Sequence, residues 1–133
     1  MRFVDTNIFI RYLTEDIPEK ADACDKMFKK AISGKEKLFT TALVIAEIVS
    51  VLESYYELTK NEVREKVEKI LNTPNLFCPQ KDIILSALNV YTEKNIDFID
   101  AFNAMTLKDK GIGELHSYDP HFDRIDGLVR LEP

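Results

Sequence analysis

Two cysteines in 133 residues, Cys24 and Cys78, lie far apart and outside any CxxC or Cys/His cluster. They leave no material for a disulfide framework or a zinc site, and both are expected to be buried, reduced thiols. No apolar run approaches the roughly 18 residues of a membrane span. The opening Met1-Arg2-Phe3-Val4-Asp5 also lacks the apolar stretch of a signal peptide, so a cytoplasmic, membrane-free protein is expected. The four glycines form no cluster able to cradle a phosphate, which removes a Walker-type loop. Excess positive charge is missing as well. A net charge of −5 argues against a protein that binds nucleic acid by coating its phosphates. It does not exclude a metal-dependent one, because carboxylates converging on divalent cations invert the local field. Repeats, low-complexity tracts and Gly/Ser/Pro-rich linkers are absent too, so residues 1–133 are expected to form a single domain. That length buries about two thirds of the unfolded surface without staples.

What the chain does have is a regular alternation of short apolar runs with helical periodicity. Strands are expected near 2–5, 38–40, 76–78, 114–118 and 128–131. Helices are expected over 6–15, from Pro18 to about 32, 42–57, 60–71, 82–93 and 98–110. Pro18 suits a first helical turn, and Pro74 stops the helix before it. Strands alternating with helices imply an α/β fold in which helices cover a parallel sheet.

Four acids stand where such a fold concentrates chemistry. Asp5 ends the first strand and precedes a helix, at the carboxyl edge of the sheet where ligands bind. The plainer role for Asp5 or Thr6 is to cap that helix. Glu47 shares the segment 42–52 with only one other residue that is not apolar, Ser50, so its helix is expected to be buried. A lone carboxylate there is costly unless a metal, a hydrogen-bond donor or a cation such as Arg11 meets it. In Asp97-Phe98-Ile99-Asp100-Ala101, Asp97 takes the cap position, and Asp100 is free to project into a cleft at the helix start. Asp119 again ends a short strand, in Ser117-Tyr118-Asp119-Pro120-His121, where an Asp-Pro turn is the alternative. Asp123 and Asp126 read as surface turn residues. His116 and His121 lack metal-ligand spacing, and a contact with substrate phosphate suits His121 better.

Taken together, Asp5, Glu47, Asp100 and Asp119 can meet above one edge of the sheet. Hard oxygen ligands suit Mg²⁺ or Mn²⁺, and such a site serves phosphodiester cleavage. No nucleophilic Ser/His/Asp or Cys arrangement competes with it.

The same segments resemble the PIN-domain ribonucleases, and among them the VapC-type toxins of toxin–antitoxin pairs. Asp5-Thr6-Asn7-Ile8-Phe9-Ile10-Arg11-Tyr12-Leu13 is similar to the family's opening motif and Ala46-Glu47-Ile48 with Val51-Leu52 to its second. Asp97-Phe98-Ile99-Asp100-Ala101 is similar to its third and Ser117-Tyr118-Asp119-Pro120-His121-Phe122 to its last. The resemblance implies an α/β/α sandwich around a short, mainly parallel sheet of about five strands. It implies an acidic Mg²⁺ or Mn²⁺ pocket of Asp5, Glu47, Asp100 and Asp119, with Asn7 and Ser117 as polar supports. It also implies RNA as substrate, a homodimer, and a cognate antitoxin that blocks the site. Ser117 departs from the commoner Thr but keeps the hydroxyl.

Two other readings are weighed against this one. A PIN-like module that only binds RNA or protein would keep the fold without cleavage. A phosphoaspartate domain of the receiver or HAD kind also places Asp after the first strand, but HAD enzymes need an acid where Asn7 stands, and the acid pair of a receiver is not found.

Overall fold

The computed structural model describes residues 1–133, which fall into two compact units, Met1–Lys81 and Asp82–Pro133. The first holds β1 (Arg2–Phe3), α1 (Thr6–Thr14), α2 (Pro18–Ile32), β2 (Leu38–Phe39), α3 (Ala42–Ser54), α4 (Lys60–Leu71) and β3 (Leu76–Phe77). With its first residue at the boundary, α5 (Lys81–Glu93) leads into the second. There follow α6 (Phe98–Asp109), β4 (Glu114–His116), a 3₁₀ turn (Pro120–Arg124) and β5 (Val129–Leu131).

The expected elements are all present and the fold class is α/β. All five strands pair in parallel, and their hydrogen bonds divide them into a ladder β1-β2-β3 and a ladder β4-β5. Parallel strands cannot be joined by tight hairpins, so helices must carry the connections. In the first ladder Arg2 faces Leu38 and Leu38 faces Leu76, while Phe3, Phe39 and Phe77 form the adjacent row. No helix is long and apolar enough to cross a membrane.

Local chemistry sets the helix ends. Pro18 opens α2 in its first turn, and a reciprocal capping box between Thr59 and Glu62 opens α4. The third helix stops at Ser54, three residues earlier than its periodicity implies. Glu57 adopts a left-handed φ of 54°, and the N–H groups of Tyr56 and Leu58 turn back onto the carbonyls of Val51 and Leu52. Backbone groups left free at the end of a helix are thereby satisfied.

In the first unit the fully buried side chains include Phe9, Phe28, Leu38, Ile45, Ile48 and Leu52, and Phe9 and Phe28 stack at 5.6 Å. The second unit buries Ile84, Leu88, Tyr91 and Ile96 completely. Each such side chain contributes about 1.5–3 kcal/mol by leaving water.

Three expectations about side chains change. Glu47 is exposed, not buried: α3 turns Leu43, Glu47 and Ser50 outward while Val44, Ile45, Ile48, Val49 and Leu52 face the core. The apolar run of α3 is wider than its buried stripe, as Leu43 at 83% exposure shows. Arg11 is not a partner for Glu47 but pairs with Asp16 at 3.2 Å. Of the two thiols, Cys24 is buried and Cys78 only half-buried, since it follows the short edge strand β3; both are free.

Candidate active site

In the first unit the end of β1 is held tightly. The N–H of Val4 donates to Phe39 O at 2.8 Å, and the fully buried hydroxyl of Thr40 donates to Val4 O at 3.1 Å. The chain is thus clamped to β2 up to the residue before Asp5. Asp5 itself is extended and caps α1, one carboxylate oxygen accepting from Thr6 N–H at 2.8 Å. Its other oxygen makes no hydrogen bond within the protein. The carboxylate therefore serves the helix and still presents an acceptor at a helix start, where backbone N–H groups favour negative charge. Asn7 is exposed two residues on. Glu47 stands on the open face of α3 with no ion pair or hydrogen bond.

The second unit gathers the other acids. Asp97 has the extended backbone of a cap residue, but its side chain makes no capping hydrogen bond to α6, contrary to expectation; only its carbonyl serves the helix, accepting from Ala101 N–H at 2.9 Å. Asp100, in the first turn, is half-buried. Burial raises its pKa, and the negative charges of Asp119 and Asp97 raise it further. Asp119 shifts the other way. Its carboxylate accepts from His121 N–H at 2.9 Å and meets His121 Nδ1 at 2.5 Å, and these two contacts hold its pKa below the ordinary value. A protonated Asp100 is placed to donate to Asp119, which raises one pKa and lowers the other. Two neighbouring carboxyl groups with pKa values driven apart are a recurrent feature of functional sites.

The loop that carries Asp119 is braced around Ser117. Its hydroxyl accepts from Asp119 N–H at 3.0 Å, and its carbonyl accepts from Arg130 at 3.2 Å. Arg130 in turn binds Asp123 and Glu132, so Asp123 is an ion-pair partner as well as a turn residue. The expected Asp-Pro turn is a full 3₁₀ turn with Asp119 as its cap. The contact between Asp119 and His121 is not legible in the sequence; the only signal is their spacing of two across Pro120.

Of the four acids singled out in the sequence, Asp100 and Asp119 are brought together, with Asp97 and His121 beside them. Asp5 and Glu47 belong to the other unit. No three His, Cys, Asp or Glu side chains are gathered into a ready-made metal cage. The donor chemistry at Asp100 and Asp119 nonetheless fits a hard divalent cation. Mg²⁺ commonly binds through one or two carboxylates and completes its shell with water and substrate phosphate.

An α/β chain with acids at strand ends and helix starts is the setting of the PIN nucleases, and the PIN domain model matches residues 2–128. The chain belongs to the PIN-domain family. It is 29% identical over 133 residues to a VapC ribonuclease of Aquifex aeolicus (strain VF5), a match covering 100% of this chain and 97% of that one. A crystal structure of Mycobacterium tuberculosis VapC20, described as a sarcin-ricin loop cleaving toxin, aligns over 100% of both chains with 17% identity and a TM-score of 0.43.

Proposed function

We propose that this protein is a VapC-type endoribonuclease, the toxin of a toxin–antitoxin pair, that cleaves RNA phosphodiester bonds with Mg²⁺ or Mn²⁺ held by Asp5, Glu47, Asp100 and Asp119. The observation that carries the proposal is the placing of Asp100, in the first turn of α6, beside Asp119 at the cap of the 3₁₀ turn, two carboxylates of the hard-oxygen type that a divalent cation takes. Membership of the PIN family and the likeness to a VapC ribonuclease supply the reaction class.

In this reading a divalent cation held by these carboxylates would supply activation of water and charge stabilisation of the leaving oxygen. The protein's own residues set the stage. Asp5 keeps one oxygen free of the helix cap, Ser117 fixes the backbone at Asp119, and His121 orients the Asp119 carboxylate. The exposed edge of His121 reaches for substrate phosphate, and Asn7 and Ser117 act as polar supports. Glu47, exposed on α3, has a carboxylate open to a ligand role that a buried position would not leave it. The PIN match runs through both compact units, which supports treating residues 1–133 as one nuclease domain. A cytoplasmic homodimer restrained by a cognate antitoxin completes the proposal.

The test is cleavage of single-stranded RNA. Activity with Mg²⁺ or Mn²⁺, its loss in chelator, and its loss in a folded Asp100→Asn variant are the expected results. Undiminished cleavage in excess chelator, or by Asp100→Asn, would overturn it.

A further inference from the structure

A groove of about 400 Å³ opens at the amino ends of β1 and β2, lined by Met1, Arg2, Lys30, Lys35, Glu36 and Lys37. It continues into a second hollow that shares Arg2, Lys30 and Glu36 and adds Phe3 and Lys26. Residues 26–37 carry five lysines against one acid in a chain of net charge −5, so this face has the opposite sign to the molecule. The lysines do not all have counter-ions. Lys26 pairs with Asp22 and Lys29 with Asp25, and Glu36 is taken by Arg2 at 3.3 Å. Lys30, Lys35 and Lys37 have no ion pair and are exposed.

The backbone beneath these cations is fixed. The N–H of Arg2 donates to Lys37 O at 2.9 Å, and that of Lys35 donates to Lys30 O at 2.9 Å. Gly34, with a left-handed φ of 81°, allows the chain to reverse between them, and Asn75 ties the end of α2 through Ala31 O at 2.8 Å. Four cationic side chains thus spring from positions held relative to one another, beside Phe3, a residue 58% exposed. Unpaired cations flanking an exposed aromatic ring are the elements by which proteins track single-stranded nucleic acid, cations on phosphates and ring on base.

We infer that this groove binds the sugar-phosphate backbone of single-stranded RNA beyond the scissile bond, with Lys30, Lys35 and Lys37 on phosphates and Phe3 under a base. The inference rests on the ribonuclease reading above for the identity of the polyanion. Arg2 opens β1 and Asp5 follows it two residues past the strand's end, three residues or about 10 Å of extended chain away, so one RNA strand can touch both. An acidic protein is repelled by most of this chain's surface as RNA is, but it offers no bases for Phe3.

The experiment measures binding in chelator, where nothing is cut. A labelled single-stranded RNA is titrated with the wild type, with the triple variant Lys30→Gln/Lys35→Gln/Lys37→Gln, and with the matching Lys→Arg variant. Polyglutamate is titrated in parallel. Expected are a loss of RNA affinity of at least about tenfold at low salt for the Gln variant, retention by the Arg variant, and weak binding of polyglutamate. The slope of log K against log salt should fall by about 0.7 for each phosphate that the Gln variant no longer neutralises, roughly two in all. Equal RNA affinity in the wild type and the Gln variant overturns the inference. So does polyglutamate binding as tight as RNA and equally lysine-dependent. Cleavage of a dinucleotide-scale substrate with metal should be unchanged in the Gln variant, whereas KM for long RNA rises. A wild type that binds RNA through the lysines yet cuts none would remove the nuclease reading and leave the groove standing.

Discussion

At the scale of single residues the two aspartates at the start of α6 divide their work in an unforeseen way. Spacing assigned Asp97 to capping, worth about 1 kcal/mol. Its side chain caps nothing and instead adds negative charge beside Asp100. Asp97→Ala should therefore change stability by well under the usual value of a cap, and should lower the pKa of Asp100. Thermal melts and carboxyl-carbon NMR titration of the variant check both; a loss near 1 kcal/mol with no movement of Asp100 would restore the capping role. Glu47 shows a similar limit of composition. A run of apolar letters cannot tell a helix buried all round from one that exposes Leu43, because only neighbours in space define the buried stripe.

At the scale of elements, boundaries followed the local chemistry that sequence displays. Pro18, the Thr59/Glu62 box and Pro74 stand where α2 begins and where α4 begins and ends. Thr59→Ala removes the cap of α4, whose N–H of Glu62 donates to the Thr59 hydroxyl at 3.2 Å, and should destabilise by about 1 kcal/mol in denaturant melts. Contrasting leucines on α3 test its orientation. Leu52 is fully buried, so Leu52→Ala should cost about 2–5 kcal/mol, whereas Leu43→Ala should stay within about 0.5 kcal/mol. Comparable losses at the two sites would mean that Leu43 is covered in solution. The early end of α3 was not legible, because a left-handed Glu57 has no residue signature of the kind that glycine provides.

At the scale of the whole molecule, the crowding of Asp97, Asp100 and Asp119 links the site to stability. The pKa of Asp100 is raised from the ordinary 3.8, so between that value and its folded value the native state binds more protons than the unfolded chain. Metal-free stability should then fall as pH rises through this window. Asp119, with a lowered pKa, acts oppositely: its contribution is present above 3.8 and is lost as pH falls through its folded value. Bound Mg²⁺ or Mn²⁺ should cancel the penalty at Asp100, and at about 100 times its dissociation constant should stabilise the fold by about 2.7 kcal/mol. Asp100→Asn should raise the melting temperature in chelator near neutral pH and shrink the metal-induced shift. Melting curves across pH, with chelator and with Mn²⁺, read all of these; a variant that melts lower in chelator with an undiminished metal shift would place the metal elsewhere.

The sequence by itself determined the order and type of every helix and strand, the parallel α/β class and membership of the PIN family. Periodicity, caps and prolines act over a few residues and are written directly in the chain. Only the tertiary structure decided that Glu47 is exposed, that Arg11 serves Asp16, that Asp119 is held by His121, and that the unpaired lysines of residues 30–37 border one groove with Arg2 and Phe3. Burial, charge pairing and pKa depend on which groups become neighbours in space, and that is set by packing between segments far apart in the chain.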